Sequence, residues 1–235
     1  MRDYELITMD VIIRPVYRIF KEYPLNPNMD ACPCCVGEED KEQVFSKKLQ
    51  QLTAEDLNRY SWKALSTWGD VKDFKHFLPR ILELEIYKDV GFHCLSGKLE
   101  YGNFNTWSEH EKKLIEGFFV EYFQLLFIKD ERCDAEDFAK KIRKIIPGFL
   151  SNSKMKSFLE SKFYSFIYAE NPEIKISDFV ELIFNISDRN FAEDFILMWP
   201  EDLKGMLSFS SFINEIYHYN FFGEKSRAKL RKFRL

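Results

Sequence analysis

The chain has 235 residues, of which 46% are apolar and 17% aromatic, with 24 Phe, so it holds enough bulky material for a buried core and is not expected to be disordered. No apolar stretch reaches the ~20 residues that a bilayer crossing needs, and the densest, residues 118–128, is interrupted by Glu121 and Gln124, which excludes a membrane span. The net charge of −4 conceals an asymmetry: residues 224–235 carry six bases (Lys225, Arg227, Lys229, Arg231, Lys232, Arg234) against one acid, a tail at +5 that leaves residues 1–223 at −9.

The opening MRDYELITMD places acids where a secretory signal has a basic region and an apolar run, so export by that route is not expected. Five cysteines, an odd number, do not make a disulfide framework and point to a reducing cytoplasm. With only 9 Gly and 8 Pro, turn chemistry is scarce, which favours long helices over many short strands.

In chain order, Val11, Ile12, Val16, Ile19 and Phe20 form a first apolar helical stripe that ends near Tyr23 and Pro24. Residues 24–37 (PLNPNMDACPCCVG) read as a loop, because three prolines stand there with Asn, Asp and Gly. Helical patterning resumes over 38–50, and Thr53 with Asp56 three residues on predicts a capped helix start that runs to Trp68 and Gly69. Asp70 begins another helix with an apolar face of Val71, Phe74, Phe77, Leu78, Ile81 and Leu84, in which Pro79 predicts a kink or a break into two short helices.

Residues 89–106 contain three glycines and weak periodicity, and a small hairpin is allowed there. Ser108 with Glu111 then predicts a second capping box, opening a helix to about Ile128 that is apolar on nearly all sides. Further helices are expected near 134–146, 152–169, 176–186, 188–198, 201–207, 209–221 and 224–233. The strings TAEDL, DAEDF and FAEDF at 53, 134 and 191 are unevenly spaced, so they read as repeated helix-start chemistry and not as a sequence repeat. The expected fold is all-α, an irregular multi-helix globular bundle or a short helical solenoid, in one domain over 1–235 that allows a subdivision into 1–130 and 131–235.

Cys32-Pro33-Cys34-Cys35 is the strongest chemical signal. The C-x-x-C spacing of Cys32 and Cys35 lets two thiolates grip a zinc ion or form a redox disulfide, and it also suits thiols simply packed at a helix start. Four zinc ligands would need two more from His76, His93, Cys94 or Cys133, since there is no second C-x-x-C. A thioredoxin-like role wants a βαβ setting that this chain lacks.

On one helix face Asp73, His76, Arg80 and Glu83 are spaced 3, 4 and 3 apart, forming a polar line beside the apolar stripe. His76 can serve there as an acid or base oriented by Asp73, with Arg80 to bind an anion, or the four can be an ion network on the helix surface. His93 and Cys94 are neighbours in sequence and seldom would point at each other. Motifs for dinucleotide, nucleoside triphosphate, zincin and serine-hydrolase chemistry are absent. The basic tail suits weak phosphate binding or docking of a helix end on the acidic body, and the second reading leaves nucleic acid unexpected as a partner.

CPCCV, LTAEDLNRY, TWGDVKDFKHFLPRILELE and GKLEY before W-S-E-H-E together resemble a group of uncharacterised bacterial proteins that share a Cys-Pro-x-Cys segment and a D-F-x-H-F-L-P-R block. The resemblance covers roughly residues 30–125 and implies a bacterial cytoplasm, without implying a reaction. Two functions follow as expectations. The first is non-enzymatic binding of another protein, such as neutralisation of a basic bacterial toxin in the manner of an immunity protein, guided by the −9 body. The second is a metal-dependent enzyme or a zinc or redox regulator built on Cys32, Cys35 and His76.

Overall fold

The computed structural model of the chain describes residues 3–86, 93–128, 132–146, 149–150, 152–167, 182–183 and 185. Among them lie eight α-helices: α1 (Asp3–Phe20), α2 (Glu38–Phe45), α3 (Ala54–Lys63), α4 (Val71–Ile86), α5 (His93–Tyr101), α6 (Glu109–Ile128), α7 (Arg132–Ile145) and α8 (Ser153–Ile167). Short 3-10 turns stand at Leu49–Gln51 and Phe104–Thr106. The fold is all-α, and the described residues form no β-strand, only isolated bridges of Trp68 with Ala31 and Ala64. None of the described helices is long and apolar enough to cross a membrane. The chain forms two compact units, Met1–Leu125 and Leu126–Leu235.

Helix α4 is the centre of the first unit. Eleven of its residues are buried, including Phe74, Phe77, Leu78, Ile81 and Leu82, and α1 packs along it through Ile12, Ile13, Val16 and Phe20. Each such side chain contributes about 2 kcal/mol by leaving water. Tyr60 of α3 is fully buried between Trp68 and Phe77, with ring centroids 5.2 and 4.4 Å away. Val11, expected in the first stripe, instead faces solvent at 68% exposure, and Ile13 takes a place in it.

The break expected at Pro79 does not occur, because α4 runs from Val71 to Ile86 with Pro79 inside it and buried. Proline removes one backbone bond, and the apolar residues buried on both sides of it hold the turns together. The hairpin allowed within 89–106 is also corrected: His93–Tyr101 is helical, with Leu95 and Leu99 buried one turn apart. That helix stops where the Gly102 N–H meets the Lys98 carbonyl and Asn103 turns left-handed at φ 51°.

Thr53 and Asp56 cap α3 reciprocally, at 3.2 Å from the Asp56 N–H to Thr53 Oγ1 and 2.8 Å from the Thr53 N–H to Asp56 Oδ2. Ser108 and Glu111 do the same for α6. Helix α3 ends earlier than its pattern predicts, at Lys63, where the N–H groups of Ser66, Thr67 and Trp68 converge on the Lys63 carbonyl and Leu65 takes φ 66°. Likewise α2 ends at Phe45 and not near 50, with the Ser46 hydroxyl donating to the Gln43 carbonyl.

In the second unit α7 and α8 bury Phe138, Ile142, Met155 and Leu159, with Phe138 edge-on to Phe149 at 6.1 Å. Apart from Leu182, Ile183 and Asn185, the helices expected beyond residue 169, together with the basic tail, lie outside the described residues.

Candidate functional site

The loop between α1 and α2 is nailed down at its far end. The Cys32 N–H donates to the Thr67 carbonyl at 2.8 Å and the Gly69 N–H to the Asp30 carbonyl at 2.7 Å, which makes the bridge of Ala31 to Trp68. Pro33 presets the turn that follows, and the N–H groups of Cys35 and Val36 both close on the Cys32 carbonyl, at 2.9 and 3.0 Å. Val36 is buried as an anchor, Arg59 donates to the Cys35 carbonyl at 2.9 Å, and the Gly37 N–H is capped by Asp40 at 2.8 Å. Gly69 itself is required: its φ is +72°, and a Cβ there would stand 2.9 Å from that of Asp73.

With the backbone so committed, Cys32, Cys34 and Cys35 turn three free thiols to the surface, all sulfurs within 4.8 Å of one another. Cys32 and Cys34 Sγ are 2.9 Å apart, and Cys34 and Cys35 Sγ 3.6 Å. The hydrogen bond from Cys34 lowers the Cys32 thiol below its ordinary value and favours its thiolate. The hydrogen bonds to Cys32 and Cys35 in turn push Cys34 up to about 11. The cluster thus retains protons that a cation can replace. Sequence spacing had selected Cys32 and Cys35 alone. Cys34 joins them because a tight turn, unlike a helix, brings i and i+2 to one side.

Of the further ligands expected, His76 is not in this cluster, and the side chains of His93, Cys94 and Cys133 lie outside the described residues.

The polar line of α4 is differently employed. Asp73 is buried and accepts from the Asp70 N–H at 2.9 Å, closing the N-terminus of α4, so it does not orient the His76 ring by a hydrogen bond. His76 Nδ1 lies 2.8 Å from the Tyr23 carbonyl. A carbonyl only accepts, so Nδ1 carries the proton. Burial lowers the His76 pKa, against the opposing pull of that carbonyl and of Asp73. Arg80 donates through Nε to the Leu52 carbonyl at 2.6 Å and through Nη1 to Glu83 at 2.6 Å, and Glu83 also accepts from the Tyr17 hydroxyl at 2.5 Å.

A buried pair unseen in the sequence lies behind this face. Lys75 and Glu111 meet at 2.7 Å with side chains only 9% and 6% exposed, and the Lys75 ammonium sits 4.3 Å from the Trp107 ring centre and 4.8 Å from that of Tyr23. Burial alone would raise the Glu111 carboxyl, but hydrogen bonds from Lys75, Tyr23 and Ser108 outweigh it and hold it at about 2. Nothing in the helical periodicity marks Lys75, since an apolar stripe does not show which lysine is folded beneath it. No protein-family model, curated protein or solved structure matches the chain.

Proposed function

We propose that the protein is a thiolate metal-binding regulator in which Cys32, Cys34 and Cys35 hold a thiophilic ion such as zinc. The observation that carries this reading is the gathering of three sulfurs within 4.8 Å on a turn whose backbone is already fixed. With metal–sulfur bonds of ~2.3 Å, sulfurs on a tetrahedral zinc lie ~3.8 Å apart, so loading asks for side-chain shifts of about 1 Å. Three protein ligands leave a fourth position for water or for a donor from another molecule. Because the thiols must lose protons, affinity rises with pH and loading releases acid.

The test is elemental analysis of protein purified under reductant without chelator, followed by cobalt titration read by thiolate-to-metal charge-transfer absorption. Cys32→Ser, Cys34→Ser and Cys35→Ser should each weaken binding about ten-fold or more. Protein that retains no metal and develops no charge-transfer band ends this reading.

A second reading is stoichiometric binding of a basic partner protein, as in toxin neutralisation. The exposed carboxylates Glu38, Glu39 and Glu42 beside the thiol turn favour it, as does the −9 balance of residues 1–223. Pull-down from the native organism, with an association rate that falls as salt rises from ~0.1 M to ~1 M, tests it. Recovery of no partner, or a salt-independent rate, counts against it.

A further inference from the structure

A cavity of about 490 Å³ opens between the end of α1, the turn Leu49–Gln51 and α4, apart from the thiols. Among the described residues, Arg18, Lys21 and Lys48 line it and no carboxylate does. All three are exposed, and none forms an ion pair with a described residue. A concave site lined by one sign of charge concentrates the opposite charge, and here it does so in a body that is acidic as a whole.

The remaining lining is specific as well. Tyr17 and Tyr23 also line the cavity, and their hydroxyls are already committed to Glu83 and Glu111, which leaves their rings as the part of each side chain that a ligand can meet. His76, also in the wall, donates through Nδ1 to the Tyr23 carbonyl, which leaves Nε2 of the neutral ring as a lone acceptor. The volume falls in the range of small-ligand sites, ~300–1,000 Å³.

We propose that this cavity binds a phosphomonoester of mononucleotide type, with the phosphate among Arg18, Lys21 and Lys48, the planar base against Tyr17 and Tyr23, and a ligand N–H or O–H donating to His76 Nε2. Three cations suit a dianionic phosphate better than a single carboxylate, and ring faces with spent hydroxyls suit a flat heterocycle. The site is independent of the metal reading, since none of these residues belongs to the thiol turn.

Calorimetric titration of the full chain with AMP, adenosine, ribose 5-phosphate and inorganic phosphate at low salt tests it. AMP should bind one to one with Kd below ~1 mM, and each of the other three at least about ten-fold more weakly. The double variant Lys21→Glu, Lys48→Glu should weaken AMP by about ten-fold or more while its thermal unfolding stays unchanged, both positions being exposed. No saturable heat with AMP up to ~10 mM, phosphate binding as tightly as AMP, or a double variant that binds AMP like the parent would each overturn the proposal.

Discussion

The thiol turn and the polar face of α4 are both clusters of reactive side chains, yet they differ in what is left unspent. On α4 the polar groups serve the chain: Asp73 closes a helix end, His76 Nδ1 holds the Tyr23 carbonyl, and Arg80 holds the Leu52 carbonyl and Glu83. In the turn the backbone does that work, through Cys32, Cys35, Val36 and Gly69, and the three thiols bond to one another and to the turn's own N–H groups, with no described side chain from elsewhere in the fold on them. Spare bonding capacity on a fixed frame separates a candidate site from scaffolding, more than residue type does.

The contrast is broken most forcefully at Glu111. Glu111→Ala strands the Lys75 ammonium among Tyr23 and Trp107 and should cost roughly 3–5 kcal/mol in urea unfolding. Acid should remove part of the same contribution. The folded carboxyl at about 2 lies below its ordinary 4.5, so the stability it supplies is complete above pH 4.5 and is lost as pH falls toward 2. Unfolding free energy against pH should show this slope, and Glu111→Gln should flatten it.

Arg80→Ala frees the Leu52 carbonyl and Glu83 together, an expected loss of about 2 kcal/mol, read by thermal unfolding. Gly69→Ala forces a Cβ into a left-handed residue against Asp73 and should cost about 1–2 kcal/mol. It should also weaken cobalt binding, because the Gly69 N–H holds the loop segment that presents the thiols. Smallest is Cys34→Ser, which should move stability by less than ~0.5 kcal/mol while removing a metal ligand. A large stability loss there would mean that the thiols are scaffolding after all.

How legible these regions were in sequence follows from the range of the interactions. Helix class, the Thr53 and Ser108 caps and the apolar face of α4 depend on neighbours three or four residues apart, and all were readable. The break allowed at Pro79 does not occur because tertiary burial outweighs a local rule, and the glycines near 97–102 misled because one was helical and the other ended a helix. Tyr23 with Glu111 spans 88 residues and Arg80 with the Leu52 carbonyl spans 28, separations that leave no mark in periodicity. The three-thiol cluster was half legible, since C-x-x-C names two sulfurs and only the turn geometry recruits the third.

The loop that carries the thiols is fastened at both ends and bare between. Its near end is held by His76 on the Tyr23 carbonyl and by the Tyr23 hydroxyl on Glu111, and its far end by the bonds of Asp30 and Cys32. Pro24, Leu25, Asn26, Pro27 and Asn28, by contrast, are all exposed. A protease that nicks this stretch therefore meets no packed backbone. The cut chain should elute as one particle, α1 staying on α4 by noncovalent complementation, and should separate only on dilution or in denaturant. In that sense the first helix is a detachable subunit that the loop merely keeps at high local concentration.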